Sequence, residues 1–328
     1  MVAGERQPVL FIAGTGRSGS TLLDRLLGQA SEVFSAGEIR YLWQNSLIDD
    51  HLCGCGQPFS RCALWSSIMR DVFGRFGEPT SPDEIIGLKA SVDRMRFVPS
   101  LALDVMGDHR RLVLERYRRL LELVFRSIRE RTGSRLIVDS TKDPSHGFVL
   151  ATSPEVELHV VHLVRDSRAV AHSWTRRKRD PARREPSAMM PIESPARSAR
   201  IWSVHNGLSS MLRPKAASYV RIRYEDFTAD PRAVVGDLLG PLGIPAPDRS
   251  MRGGEVELEL QHTISGNPMR FDRGPIVVKR DDDWLSTMRR RDKLAVSLST
   301  WPQLLAYGYP LRPRPSRTVP VSGAQQRA

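Results

Sequence analysis

The segment Pro8 to Ala30, PVLFIAGTGRSGSTLLDRLLGQA, constrains this chain more than any other. Val9 to Ala13 is a short apolar run containing β-branched residues, the pattern of a buried strand. Gly14-Thr15-Gly16-Arg17-Ser18-Gly19-Ser20-Thr21 follows at once, and Leu22, Leu23, Leu26, Leu27 and Ala30 then recur at helical spacing. Strand, glycine-rich turn and helix together aim backbone N–H groups and a helix N-terminus at an anion. Gly16 and Gly19 let the backbone close around a phosphate. Arg17, Ser18, Ser20 and Thr21 add charged and hydroxyl donors. The arrangement predicts an α/β protein: a P-loop-like parallel β-sheet flanked by helices, with a phosphate cradle at its edge.

The first comparison is with the pattern G-x-x-x-x-G-K-[ST]. Gly14, Gly19 and Thr21 fit it, but Ser20 stands at the lysine position and the loop's cation sits earlier, at Arg17. A nucleoside-triphosphate enzyme loses its β/γ-phosphate contact by that change. A plain tight turn between strand and helix is the bland reading.

The 328 residues, 40% of them hydrophobic, suffice for one large α/β domain or two small ones. We expect one domain over 1–310, with a helical, cysteine-bearing insertion at about 44–110, a basic loop at about 176–200, and a disordered basic tail, 311–328. A net charge of +12 and a pI near 10.2 suit an acidic ligand. Nucleic acid is not expected, since no zinc-finger or RNP pattern appears. A peripheral membrane surface stays open. No apolar run has the length of a membrane span, and Met1 to Gln7 leads straight into the first strand, so the expectation is a soluble, cytoplasmic protein.

Further chemistry lies downstream. Glu38 follows Gly37 in what should be the second strand–helix connection, at the sheet edge where ligands bind. It can act as a general base toward a hydroxyl, or simply begin a helix or pair with Arg40. Leu136 to Val138 reads as a strand ending in Asp139-Ser140-Thr141-Lys142-Asp143-Pro144. Asp139 there has a Walker B look, whereas Lys142 places a second cation beside the loop. Glu157 to Val164 is another buried strand, followed by Arg165 and, two helical turns along, Ser173. Arg165 as a fork and Ser173 as a hydroxyl can reach one phosphate. Tyr219 to Arg223 is a strand running into Tyr224-Glu225-Asp226, and Glu225 and Asp226 read as structural. Tyr117, Leu120, Leu121, Val124, Phe125 and Ile128 mark an amphipathic helix ended by Gly133; Asp230-Pro231 starts another. Arg176, Arg177, Lys178, Arg179, Arg183 and Arg184 form a basic run that reads as a solvated loop, a mobile lid or an attraction for anions. His51, Cys53, Cys55 and Cys62 admit either a zinc site or a local disulfide or packed thiols, the C-x-C spacing being tight for one ion. No metal is assigned on this basis.

Taken in order, these motifs resemble the sulfotransferases that use 3′-phosphoadenosine-5′-phosphosulfate (PAPS), in a bacterial branch similar to the tyrosylprotein enzymes. The loop resembles P-[KR]-S-G-[ST]-T, the Gly37-Glu38 pair the family's catalytic base, and Thr141-Lys142-Asp143-Pro144 its sulfate-contacting lysine stretch. Arg165 and Ser173 match the strand, R, seven residues, S pattern of the 3′-phosphate site. Tyr224 falls in the shared Y-E-D near the adenine. Gly266-Asn267-Pro268 delivers Arg270 at the chain position of the last cofactor loop, although the family's R-K-G is absent. His262 is a second acid/base candidate or a hydrogen-bonded structural histidine. The resemblance implies sulfuryl transfer to a hydroxyl of a carbohydrate, lipid-linked, natural-product or peptide acceptor, with Glu38, Arg17 and Lys142 catalytic and adenosine 3′,5′-bisphosphate as product. No metal is required for that chemistry. The alternatives are a P-loop kinase or NTPase using ATP and Mg²⁺, and a non-catalytic binding protein on the same fold.

Overall fold

The structure, a computed structural model, describes residues 6–312 except 79, 184, 186, 248–250, 253 and 254. Met1 to Glu5, Pro79, Arg184, Pro186 and the expected tail beyond Arg312 therefore lie outside the described residues.

Five strands, β1 (Gln7–Gly14), β2 (Val33–Gly37), β3 (Leu136–Lys142), β4 (Val156–Val164) and β5 (Ser218–Arg223), form one parallel sheet in the order β2-β3-β1-β4-β5. The central strand β1 pairs with β3 and β4, placing Val9 between Ile137 and Leu158. Parallel strands covered on both faces must be nearly continuous in apolar residues, which is why β1 and β4 read as plain hydrophobic runs. Within β4 the buried polar exception His162 is satisfied, meeting Tyr219 OH at 2.7 Å and Asn206 Oδ1 at 2.8 Å. Burial pushes its pKa down to about 4.

The helix α1 (Ser20–Leu27) covers one face through Leu22, Leu23, Leu26 and Leu27. On the other face lie α2 (Ala63–Phe76), α3 (Pro82–Val92), α4 (Val98–Ala102), α5 (Asp108–Thr132) and α6 (Pro144–Ala151). Within the stretch expected as a helical insertion, α2 and α3 bury Ile68, Val72, Phe76, Ile85 and Val92 in the same core as the apolar stripe of α5. A 25-residue amphipathic helix needs that much cover on its apolar side. Next come α7 (Ser167–Thr175) and α8 (Pro195–Ser210), packed together, then α9 (Tyr224–Ala229) and α10 (Pro231–Leu239). Strands β6 (Met251–Arg252), β7 (Glu255–Leu258) and β8 (Gly274–Val277) make a small antiparallel sheet. The short α11 (Trp284–Thr287) precedes α12 (Arg290–Ala306), which packs on α7 and α8. No described helix is long and apolar enough to cross a membrane.

What fixes α1 is a fully buried carboxylate. Ser35 Oγ on β2 donates to Asp24 Oδ1 at 2.6 Å, and Ser140 Oγ on β3 donates to Asp24 Oδ2 at 2.8 Å. Burial raises the Asp24 pKa to about 7, against the two serine hydrogen bonds and Lys142, which pull it down. The unfolded value is about 4. The folded protein thus keeps a proton that the unfolded chain has already released. Stability from this group is complete below pH about 4 and is lost as pH rises through about 7. Asp24→Asn, neutral throughout, should gain on the wild type by up to roughly 1.4 kcal/mol per pH unit across that window. Melting temperatures of both proteins between pH 5 and 8 measure this, and parallel profiles would show that Asp24 does not titrate there.

Candidate active site

The loop after β1 lies where the strand order turns back on itself, with β3 on one side of β1 and β4 on the other. Ser18 Oγ donates to Thr15 O at 2.7 Å and draws the loop into a tight curve. Arg17 adopts a left-handed φ of 68° within it. Gly19 is the N-cap of α1, at φ 92°, and no side chain caps this end. A Cβ at Gly19 would lie 2.6 Å from Cδ2 of Tyr224, so only glycine fits. The first N–H groups of α1, from Ser20 and Thr21 onward, are left for a ligand.

Glu38 and Lys142 converge on this loop from the ends of β2 and β3. Lys142, also left-handed at φ 70°, donates to Ser140 O at 2.5 Å and pairs with Glu38 Oε1. Glu38 N donates to Ile264 O at 2.8 Å, fixing the backbone that carries the carboxylate. A Cβ at Gly266 would sit 3.4 Å from Glu38 Oε1 and 3.6 Å from Thr21 Oγ1, so the carboxylate and the loop hydroxyl flank one glycine. Arg17 completes the group. Its guanidinium stands 4.7 Å over Trp174, which also packs under Gly16, and Nη2 meets Met190 Sδ at 3.6 Å. Nη1 is buried with no hydrogen-bond partner among the described residues. Burial lowers the Arg17 pKa, with Glu38 opposing.

Arg165, at the end of β4, donates to Arg17 O at 3.1 Å and to Asp281 O at 2.9 Å, and pairs with Asp281 Oδ2 at 3.2 Å. Its Nε has no partner among the described residues. Trp202 of α8 anchors the backbone here by donating to Arg165 O at 2.9 Å. Ser173 is buried on α7.

Two expectations need correction and a third is narrowed. Tyr224, expected near the adenine, has the Arg165 guanidinium 4.4 Å over its ring and Gly19 against its edge, so it supports the loop. Arg270 does not face an anion site. It is 1% exposed and donates to Thr263 O at 2.7 Å and Leu52 O at 2.5 Å, because the Gly-Asn-Pro turn delivers it inward. Asp139, the Walker B candidate, is fully buried and spent on Thr141 N and Oγ1 (2.9 and 2.5 Å) and on His146 (2.9 Å). Between Asp139 and Asp93 the pKa of His146 rises to about 9 despite its burial. The reading of Glu225 as structural holds: it accepts from Tyr309 OH at 2.6 Å.

No protein-family model and no curated protein matches the sequence. Solved structures do. One is the sulfotransferase domain from the Synechococcus PCC 7002 olefin synthase, at 20% identity and TM-score 0.52, covering 94% of this chain and 97% of that one. Another is the sulfotransferase domain from the curacin biosynthetic pathway, at 16% identity and TM-score 0.51, covering 94% and 100%. The chain shares their fold. At such identities that likeness speaks for architecture alone.

Sequence reasoning missed residues of the site. In the basic run Arg176 and Lys178 are half-buried while Arg177 and Arg179 are exposed, an alternation that a count of charges hides. Burial and the neighbouring Arg17 lower the Lys178 pKa, so this lysine belongs to the same cationic group. Arg176 pairs with Asp283 at 2.8 Å and approaches Asp281 at 3.6 Å. The described part of the run is thus an ordered cover, tied down by Met190 N donating to Lys178 O at 2.9 Å. Asp281 carried no sequence signal. Burial pushes its pKa up, but Arg165 and Arg176 hold it below the usual carboxylate range.

The cysteines form no disulfide. Their fourth partner is His262, about two hundred residues along the chain, rather than the neighbouring His51; one ligand atom from each of Cys53, Cys55, Cys62 and His262 lies within 4.8 Å of all the others. That placement also removes His262 as an acid/base partner of Glu38.

Asp281 occupies Arg165 where an anionic ligand would compete with it. Arg165→Ala should weaken binding of adenosine 3′,5′-bisphosphate roughly ten- to a hundredfold, the worth of a charge-assisted hydrogen bond, and Asp281→Asn should tighten it. Isothermal titration reads both, and unchanged affinities in both variants would remove Arg165 from the anion site.

Proposed function

We propose that this protein is a PAPS-dependent sulfotransferase that moves a sulfuryl group to an acceptor hydroxyl by in-line transfer. The observation that carries the reading is the meeting of Glu38, Lys142 and the α1 loop around Gly266, beside Arg17, whose Nη1 has no partner among the described residues. The fold and the order of the motifs support it. The tyrosylprotein-like branch is the finer form of the proposal, resting on Gly37-Glu38 and Thr141-Lys142.

The residues fit the donor. Gly16, Ser18, Gly19, Ser20 and Thr21 with the open N-terminus of α1 would hold the 5′-phosphosulfate, and Arg165 with Ser173 the 3′-phosphate. Bound PAPS supplies an activated sulfuryl group and a phosphate leaving group. Glu38 accepts the proton of the acceptor hydroxyl, whose oxygen forms the new bond to sulfur. Arg17 and Lys142 neutralise charge on the sulfuryl oxygens and on the bridging oxygen, which keeps the electron pair of the broken S–O bond. Lys142 has two tasks: pairing with Glu38 beforehand and facing the sulfuryl group during transfer. We place the acceptor, a carbohydrate, lipid-linked or natural-product hydroxyl, beside Glu38. The segment 44–62 and the described residues of 176–193, joined by Leu52 N donating to Ala182 O at 2.9 Å, would enclose it.

A kinase reading finds no support: Ser20 stands at the lysine position, and Asp139 is turned away toward His146. Adenosine 3′,5′-bisphosphate should raise the melting temperature, by the equivalent of about 2.7 kcal/mol at a hundredfold excess over its dissociation constant. A rise with ATP and Mg²⁺ alone would overturn the proposal. Glu38→Gln should keep the bisphosphate shift and lose roughly 10²–10⁴-fold in turnover; near-normal turnover would show that Glu38 is not the base.

A further inference from the structure

We propose that Cys53, Cys55, Cys62 and His262 bind one zinc ion, and that this ion clamps the strap 261–266 onto the end of β2, where Glu38 stands.

The geometry suits the ion. Cys62 Sγ lies 3.3 Å and Cys53 Sγ 3.8 Å from His262 Nδ1, and all four ligand atoms lie within 4.8 Å of one another. A tetrahedral site with Zn–S about 2.3 Å and Zn–N about 2.0–2.1 Å has edges of roughly 3.5–3.8 Å. Small side-chain adjustments therefore close the site. Three thiolates and an imidazole fill all four positions, the mark of a structural rather than a catalytic ion. A disulfide would use two sulfurs and leave the third, with the imidazole, without a purpose.

The backbone is shaped for the same end. Gly56 N donates to Cys53 O at 2.8 Å and Cys53 N to Gln57 O at 2.8 Å, so Cys53 to Gln57 forms a tight knuckle. At Gly54 a Cβ would meet Thr263 Oγ1 at 2.5 Å and Gln261 O at 2.6 Å; its absence lets the knuckle lie directly on the strap. Gly54 N donates to Thr263 O at 2.8 Å. Cys62 is the N-cap of the 14-residue α2, where the helix dipole favours a thiolate. Trp65 Nε1 donates to His262 O at 2.6 Å, orienting the histidine from outside the cluster.

Charge completes the case. Binding releases the thiol protons to solvent and leaves three thiolates around one divalent ion, a net charge of −1. Arg270, fully buried, holds carbonyls on both sides of the cluster, Thr263 O and Leu52 O, and feels the charges of Cys53, Glu38, Asp180 and Cys55. Among the described residues no carboxylate forms an ion pair with this guanidinium, and a zinc–thiolate centre would add negative charge beside it. This is the task of the arginine that sequence placed on the cofactor.

The clamp reaches the active site in two residues. Beyond His262 and Thr263, Ile264 N donates to Ala36 O at 2.9 Å and Ile264 O accepts from Glu38 N, making a parallel bridge with Gly37. Gly266 then flanks the Glu38 carboxylate. Metal binding stands apart from the proposed activity; only the catalytic part given to Glu38 rests on that reading.

The full chain, purified without chelator, should carry about one zinc by inductively coupled plasma mass spectrometry. Cobalt should replace it and give thiolate charge-transfer bands with tetrahedral d–d intensity. Cys55→Ser, at the least buried of the three cysteines, should keep the circular dichroism of the wild type and lose most of the metal; His262→Ala should do the same. Mercurial titration of wild-type thiols should release the zinc stoichiometrically, so the proposal does not depend on the variants folding. Metal-free protein with three titratable thiols, or with a disulfide, would overturn it, as would full zinc in both variants. In metal-depleted wild type, hydrogen exchange at the Glu38 and Ile264 amides should accelerate at least tenfold; zinc loss with unchanged exchange would overturn the clamp.

Discussion

The direction of α1 is the constraint on which the rest of this structure depends. An uncapped helix N-terminus serves an anion only if the helix cannot drift, and hydrophobic packing alone is not directional. Asp24 supplies direction, accepting hydrogen bonds from Ser35 on β2 and Ser140 on β3, so the helix is registered against two strands. Its neighbour Arg25, also buried, points the other way. It donates to Met269 O, Asp272 O and Glu259 O at 2.6–2.8 Å and so gathers the segment that carries His262 and Gly266. One helical turn thereby sets both the cradle and the strap that holds Glu38.

Around that turn the charges are unevenly balanced. Arg17, Arg165, Arg176, Lys178 and Lys142 approach one region, with Glu38, Asp281 and Asp283 as the nearby carboxylates. Like charges brought together in partial burial repel: Lys178, lowered first by burial, is lowered further by Arg17 and Arg176, whereas Arg17 is lowered by burial, against Glu38. An anionic ligand would relieve that repulsion. The strain has been moved to structural supports: Tyr224 takes Arg165 on its face and Trp174 takes Arg17, each ring holding a guanidinium in place without neutralising it.

Much of the fold was legible because its signals are local. The strands around Val9, Ile137, Val160 and Val220 are short apolar or β-branched runs, and α5 shows its 3.6-residue period up to Gly133. The α1 loop, Glu38, Lys142 and Arg165 were legible for a related reason. In a parallel sheet each strand's carboxyl end faces the same edge, so residues just after strands are gathered there whatever the order of the strands. What could not be read was the destination of side chains whose partners are far along the chain. Arg270 looked like a ligand residue because the turn before it is local, while the carbonyls that claim it, on Leu52 among others, are not. Lys178 looked solvated because its inward turn depends on the cover folding back over Arg17.

The cysteine cluster draws the line most sharply. Sequence alone determined that three thiols fall within ten residues, at a spacing too tight to complete a site by themselves, and that a glycine-rich loop joins the first strand to the first helix. Tertiary structure alone decided which histidine joins them. His51 is adjacent in sequence, but it was His262 that the hydrogen bonds of Gly54 to Thr263 and of Ile264 to Ala36 and Glu38 brought to the thiols. The physical reason is general to both sites. Periodicity and turn chemistry act over a few residues and are written in the sequence, whereas the pairing of a strap with a distant strand end exists only once the sheet has formed.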